Sequence, residues 1–518
     1  TSLNMKTLSL CLLCFLLFSC DTTSTKKKQL PPNIIFVMSD DHTSQAWGIY
    51  GGVLEQYAVN QNIKRLAEEG VVLDNAFCTN SICVPSRASI LTGQYSHNNQ
   101  VYTLTDVLHP HQQNVAQLIQ KTGYQTALIG KWHLKDKPSG FDHFNILPGQ
   151  GRYHNPILKN NDNWEYGNKG GNEYKGFSSD VIMDESLKWL DQRDKEKPFM
   201  LMTHFKATHE PFDYPERFKN LFENDTIPEP VSLLDFDPQQ SGRSFDGQIL
   251  EILAERWRQA SIKNNGRYPG LPFDTDGLDA VQARKKTYQK FVKDFLKSAA
   301  AIDDNIGRML NYLDENDLTD NTLIIYTSDQ GYFLGEHGMF DKRMFLEESA
   351  RMPFVIRYPK EIPAGKRVKD IILNIDFPSL LLDYAGIPQP EQFQGESFRK
   401  NLIKETPDQW RDKMYYRYYA HALNRPAHLG IRTDRYKLIF YYGLSLGMKG
   451  TYTDQATPPA WEFYDLINDP LELKNQYNNP EFKTTIMGLK KDLVELREQY
   501  GDAQTDGKEM KKVIQENW

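Results

Sequence analysis

The feature that most constrains this chain is an alternation of amphipathic helical stretches with short, wholly apolar runs. It opens at Asn33-Ile34-Ile35-Phe36-Val37-Met38, a β-branched run that ends in Ser39-Asp40-Asp41-His42. Residues 62–69 are helical in pattern, Gly70 stops them, and Val71-Val72-Leu73 follows. Residues 114–121 repeat the pattern, with Gly123 as the stop and 126–129 as the strand. An amphipathic stretch over 179–190 feeds Phe199-Met200-Leu201-Met202, and a long one over 284–313 feeds Leu323-Ile324-Ile325-Tyr326, with Phe354-Val355-Ile356 next. Strands this apolar are covered on both faces, and helices between them return the chain for parallel pairing. The expected fold is α/β, a parallel, doubly wound sheet with helices on both faces. Open sheets of that kind place their sites beyond the C-terminal strand ends, where Asp40, Asp41 and His42 stand.

The alternation does not cover the whole chain. Its 518 residues leave room for one large α/β domain and a smaller companion. Between 214 and 281 the pattern lapses into a Pro-, Asp- and Gly-rich stretch. So long an irregular segment in a compact domain usually serves function, so this insertion is expected to face a substrate. After Gly386-Ile387-Pro388 the character changes: 414–419 and 436–442 are aromatic, strand-like runs, and 487–500 is a terminal helix. That predicts a catalytic domain over 31–403 and a smaller C-terminal α+β subdomain with an antiparallel sheet over 404–518.

A net charge of −7 gives no electrostatic drive toward nucleic acid, so an anionic ligand would have to be held by local cations. Met5-Lys6 precedes an apolar run over 8–18 of signal-peptide length, well short of the roughly 20 residues that span a bilayer. The run ends Leu17-Phe18-Ser19-Cys20, which resembles a bacterial lipoprotein signal with Cys20 as the lipid-bearing residue; 21–29 reads as a solvated tether. The expectation is an exported lipoprotein, periplasmic or on the surface of a Gram-negative cell, with residues 1–30 outside the fold. Three of the five cysteines fall in that segment, which leaves Cys78 and Cys83. A disulfide between them would close too short a loop to add much stability, so their thiols invite a chemical reading.

Cys83-Val84-Pro85-Ser86-Arg87, followed by Leu91-Thr92-Gly93, supplies one. It resembles the signature of the type I sulfatases, and further blocks follow in the family's order: Asp40-Asp41, Gly130-Lys131-Trp132-His133, Lys206-Ala207-Thr208-His209, Ser328-Asp329-Gln330-Gly331, Asp341-Lys342-Arg343 and 430–437. The resemblance implies an alkaline-phosphatase-like fold and a sulfate-ester hydrolase acting on a sulfated carbohydrate. In that family a maturase oxidises the cysteine to formylglycine, whose hydrated aldehyde supplies the attacking hydroxyl. A geminal diol can shed sulfate by returning to aldehyde, whereas a thiol would keep it. Asp40, Asp41, Asp329 and the Gln330 amide oxygen, with residue 83, then form an oxygen-rich set suited to one Ca²⁺ ion. Gln330 stands where the commonest family pattern has asparagine.

The same resemblance gives Arg87 and Lys131 to the nucleophile, and Lys131 and Lys342 to the sulfate. His133 is the base, and His209 the acid for the departing sugar oxygen. The block 329–343 looks like the branch acting on sulfated polysaccharides, including hexosamine 6-sulfates. Further candidate substrate contacts are Lys206, His337, Arg343, Arg256, Trp257, His421, Arg425 and His428. Two other readings stay open. A phosphomonoesterase or phosphodiesterase of the same superfamily would use Ser or Thr and two transition metals. A glycan-binding surface lipoprotein would have lost the nucleophile or the lysine pair.

Overall fold

The structure, a computed structural model, describes residues 31–235 and 247–518. The signal and tether expected over 1–30, including Cys20, lie outside the described residues. Among the described residues no helix is long and apolar enough to cross a membrane. Pro31–Trp518 forms one compact unit.

Its centre is an eight-stranded sheet. The strands lie in the order Lys366–Val368, Val71–Leu73, Phe354–Arg357, Thr322–Ser328, Asn33–Asp40, Phe199–Thr208, Gln125–Lys131, His143–Leu147. Alternate residues of the central strand serve opposite cores. Ile34, Phe36 and Met38 pack with Val84, Val115 and Phe377 from helices on one face. Ile35 and Val37 pack with Leu66, Ile182 and Ile306 on the other. The double cover inferred from the apolar runs is therefore present.

The sheet is mixed, where the alternation predicts a parallel one. Phe354–Arg357 runs antiparallel to both neighbours. The chain between Ser328 and Phe354 contains only short elements such as Phe340–Asp341 and Glu347–Ala350, with no long crossover helix. Without a crossover it re-enters from the end it left, which fixes the reversed direction.

The 214–281 insertion is not wholly irregular. Leu250–Lys263 is a helix that buries Leu250, Leu253, Trp257 and Ala260 along one stripe. It packs against the long helix Ala280–Glu315. That helix starts a turn earlier than its apolar period suggests because Asp279 and Gln282 form a reciprocal cap, with the Gln282 N–H donating to Asp279 at 2.8 Å.

Toward the C-terminus, Lys413–Tyr418, His428–Thr433, Tyr436–Tyr441 and Ala460–Asp465 form an antiparallel four-stranded sheet, with the helix Lys483–Gln499 packed on it. Their core is continuous with Ile82, Met344 and Phe345, so this sheet braces the segments flanking Cys83 and Lys342.

Candidate active site

Four neighbouring parallel strands, Thr322–Ser328, Asn33–Asp40, Phe199–Thr208 and Gln125–Lys131, release their C-terminal ends side by side. That juxtaposition gathers Asp329, Asp40, Asp41, His209 and Lys131. Asp40, Asp41 and Asp329 can each offer a carboxylate oxygen within 4.8 Å of the others, and all three are buried. The Asp41 N–H donates to Asp329 Oδ1 at 3.2 Å. Gln330 turns its amide nitrogen to Asp41, and its buried Oε1 has no hydrogen-bond partner among the described residues. Burial raises the Asp41 carboxyl to about 6, and neighbouring Asp329 adds to the effect against the pull of Lys342.

Cys83 is the first residue of the helix Cys83–Thr92, so it meets the positive end of the helix dipole. Its Sγ lies 3.4 Å from Asp40 Oδ1. Burial pushes the thiol up to about 12, with Asp329 and Asp41 adding to it against Lys342 and Arg87. Burial thus favours the protonated thiol over the thiolate, the reactive form.

One turn along, Arg87 Nε donates to Asp329 at 2.8 Å and Nη1 to the Lys131 carbonyl at 2.9 Å; buried Nη2 has no partner among the described residues. The Lys131 ammonium pairs with Asp40 and donates to Gln150 Oε1 at 2.6 Å. Lys342 Nζ reaches both Asp41 oxygens, at 2.6 and 2.7 Å. Burial opposes its charge, but the Asp41 carboxylate leads the groups that hold the ammonium well above its ordinary value.

His209 Nδ1 lies 2.8 Å from the Glu210 carbonyl, which leaves Nε2 facing Asp41 Oδ2 at 4.0 Å. Burial and then the charges of Lys131, Lys342 and Lys206 push the imidazole well below its ordinary value. His133 is also buried and held neutral, by burial and then by Lys131, Arg87 and Lys342. Asp41, His133, Asp341 and Arg343 all take left-handed backbone angles, with φ of 69°, 62°, 75° and 96°. Such strain in non-glycine residues is uncommon and gathers at functional sites.

A cleft of about 170 Å³ collects Asp41, Cys83, His209, Lys342, Arg256, Arg343 and Arg425 among its lining. Asp341, between Arg343 and Arg425, is in the same wall. Lys206 lies just outside, in an adjoining groove, and His133 lines a separate cavity on the far side of Gln150.

Four other expected contacts are not part of the cleft either. Trp257 is 1% exposed, its ring against Phe273 and Tyr268, so it has no face left to stack on a sugar. The His428 ring is buried between Tyr416 and Tyr441 and accepts the Phe345 N–H. His421 holds its own loop through the Gln455 carbonyl and the Ala427 N–H. His337 is buried edge-on to Phe333. All four are packing residues. Cys78 and Cys83 are both free, and Cys78 is an ordinary core thiol facing the Ala350 carbonyl.

Sequence reasoning misses Gln150, which touches Lys131 and lines the cleft. Its signal is Pro148-Gly149-Gln150-Gly151, a turn at the end of a strand whose polar residues hide it. It also misses Tyr416, whose hydroxyl accepts from the Ser81 N–H at 3.1 Å and donates to the Arg343 carbonyl at 2.7 Å. One phenol thereby ties the segment before Cys83 to the segment after Lys342.

The sulfatase family profile matches residues 32–387. The chain belongs to the sulfatase family. Residues 335–499 of this sulfatase also match the C-terminal region of N-sulphoglucosamine sulphohydrolase. It is 39% identical to an N-acetylglucosamine-6-O-sulfatase of Bacteroides thetaiotaomicron, over 98% of this chain and 93% of that one. A solved protein in complex with its substrate D-glucosamine-2-N,6-O-disulfate superposes with a TM-score of 0.80 at 37% identity, covering 92% of this chain and 100% of that one. A phosphonate monoester hydrolase from Silicibacter pomeroyi shares the fold at a TM-score of 0.67 and 19% identity, over 90% of this chain and 96% of its own. Family membership makes the chain a sulfuric ester hydrolase with the alkaline-phosphatase-like fold; the phosphatase and binding-protein readings are not favoured.

Proposed function

We propose that this sulfatase removes the 6-O-sulfate from a glucosamine unit of a sulfated glycan, with residue 83 in the formylglycine form beside one Ca²⁺ ion. The curated relative at 39% identity and the substrate complex at 37% support the substrate. The observation that carries the chemistry is the meeting of Cys83, His209 and Lys342 in one cleft with three buried carboxylates beneath it.

The donor set fits a hard cation. Three carboxylates are crowded out of water, and one amide oxygen has no donor to accept from. Asp40, Asp41, Asp329 and Gln330 would hold the ion, which supplies positive charge beside a sulfate oxygen. The thiol fits less well as a nucleophile in its own right, since burial keeps it protonated. Oxidised and hydrated, residue 83 supplies a hydroxyl for attack on sulfur. Arg87 and Lys131 hold residue 83, and Lys131 and Lys342 bind the sulfate and offset charge that builds in the transition state. His209 donates a proton to the leaving sugar oxygen. Burial and then its cationic neighbours keep it neutral in the free enzyme, and an arriving sulfate ester, being anionic, raises its proton affinity. His133, which lines the neighbouring cavity and lies beside Lys131 and Arg87, is the base that the family resemblance gives for the proton lost when the diol collapses.

We read the chain further as exported and lipid-anchored through Cys20, meeting its maturase before or during export. The test uses protein co-expressed with a maturase and defined sugars. Inorganic sulfate should be released from 6-sulfated N-acetylglucosamine. EDTA should abolish turnover and lower Tm, and Ca²⁺ should restore both better than Zn²⁺. Faster cleavage of phosphate monoesters than of sugar sulfates would overturn the reading.

A further inference from the structure

The Cys83 cleft does not end at His209. Gln150, His209 and Glu210 line it on one side and on the other line a second groove of about 430 Å³. If His209 gives its proton to the leaving oxygen, the space beyond His209 receives the leaving alcohol. The groove is therefore the natural course for the rest of the glycan, and its charges report what that glycan carries.

Its acids are already engaged. Glu210 accepts from Arg256 at 2.6 Å and from the Tyr268 hydroxyl, and Asp213 pairs with His154 at 3.1 Å. One of its cations is not. Lys206 is 2% exposed, and its ammonium rests over the Tyr153 ring at 4.7 Å from the centroid. Among the described residues no carboxylate pairs with it and no hydrogen-bond acceptor meets it. The ring itself is held, because Tyr153 donates through its hydroxyl to the His209 carbonyl at 2.6 Å. Nearer solvent stand Arg152 and Arg267, with side chains 49% and 62% exposed; Arg152 pairs with Glu173, and Arg267 reaches Glu210 at 3.8 Å. The carboxylates that attract Lys206, Asp41 and then Glu210, act from beyond pairing distance and are engaged by Lys342 and Arg256, so they and the cation–π contact offset only part of the cost of its burial. An anion entering this groove would supply what is missing.

We propose that the groove is a second-anion subsite, in which Lys206, with Arg152 and Arg267 at its rim, takes a carboxylate or sulfate on the sugar linked to the one losing its sulfate. The inference rests on the sulfated-glycan reading and deepens it: the preferred substrate is an oligosaccharide with a charged neighbour, such as a uronate-containing unit. Lys206 acts here in binding; its charge also reaches His209 through space, so a common loss on all substrates reports that effect and only the ratio between charged and uncharged arms reports the subsite.

The experiment compares kcat/KM on four substrates: 6-sulfated N-acetylglucosamine, and disaccharides joining it to an uncharged hexose, to a uronate or to a second sulfated sugar. Wild type should prefer a charged disaccharide over the uncharged one by about tenfold, and the better of the two charged arms identifies the anion. Lys206→Met should bring that ratio near one, chiefly through KM, and Lys206→Arg should retain most of it. Arg267→Ala, at an exposed position where folding is not at risk, should lower the ratio about two- to threefold, as expected for a screened surface charge. A wild-type enzyme indifferent to the neighbour's charge would overturn the inference, as would equal losses for Lys206→Met on all four substrates. Wild-type cleavage of the monosaccharide is scored separately, so the proposed function can stand while the subsite falls.

Discussion

Asp502, beneath the C-terminal sheet, and Asp41, at the strand ends, are both buried carboxylates, and their surroundings move them in opposite directions. Asp502 accepts from Tyr415 at 2.8 Å, Arg417 at 2.6 Å and Arg497 at 2.7 Å. Burial would raise its proton affinity, but Arg417 and then Arg497 outweigh burial and bring the carboxyl well below its usual range. Asp41 shares its space with Asp40 and Asp329, and there burial and the neighbouring acid prevail over Lys342. An acid with donors of its own braces the fold. Acids that crowd together, each with a single cation, still raise one another's proton affinity, and an ion placed among them would relieve that repulsion.

The largest test removes the reactive residue from the crowded cluster. Cys83→Ala should lower turnover by about 10⁴-fold or more, the scale seen when a nucleophile is lost, while the far-UV signal and Tm stay close to wild type. Mass spectrometry of active wild type should find the Cys83 peptide about 18 Da lighter than with unmodified cysteine, as oxidation to the aldehyde requires. Retained activity in Cys83→Ala would sink the chemistry.

A smaller effect should separate His209 from the cations around it. His209→Ala should cost about 10²- to 10⁴-fold on a sugar sulfate, whose alcohol must be protonated to leave. On 4-nitrophenyl sulfate, whose phenolate leaves unaided, the loss should be much milder. Equal losses on the two substrates would reject the assignment.

How much of this the sequence carries depends on what each residue must do alone. The central strands are legible because a run apolar at every position has few homes other than a covered sheet. Cys83, Asp41, His209 and Lys342 stand in short motifs whose chemistry is local, so each can be singled out before the fold is known. Other features need the third dimension. Phe354–Arg357 reads as one more parallel strand, because nothing local says that 329–350 stays at one end of the sheet. Leu250–Lys263 is a regular helix masked by the turn-forming residues around it. Trp257 and His428 have the side chains of sugar-binding residues, and only packing reveals that both point inward. Gln150 and Tyr416 act through partners distant in the chain, which no pattern of spacing displays.

The smallest effect concerns pH, and here the two clusters should differ in sign. Asp502 has a folded-state proton affinity below that of the unfolded chain, near 3.9 for aspartate. Its contribution is present above about pH 4 and is lost as pH falls toward the folded value. Asp502→Asn breaks a buried pair and should cost about 3–5 kcal/mol at pH 7, with kcat little changed in protein that remains folded. In urea unfolding the gap between wild type and Asp502→Asn should narrow below pH 4, by up to about 1.4 kcal/mol per pH unit. Asp41 works the other way. Its folded carboxyl is raised to about 6, so between that value and 4 the folded chain holds a proton that the unfolded chain has released. In metal-free protein, stability from this group should therefore rise as pH falls through 6, and Asp41→Asn should remove that rise. Ca²⁺ should remove it too, because an ion on the carboxylate competes with the proton. If wild type and Asp41→Asn kept a constant difference from pH 7 to 4, Asp41 would be no more crowded than Asp502, and the contrast between the two clusters would fail.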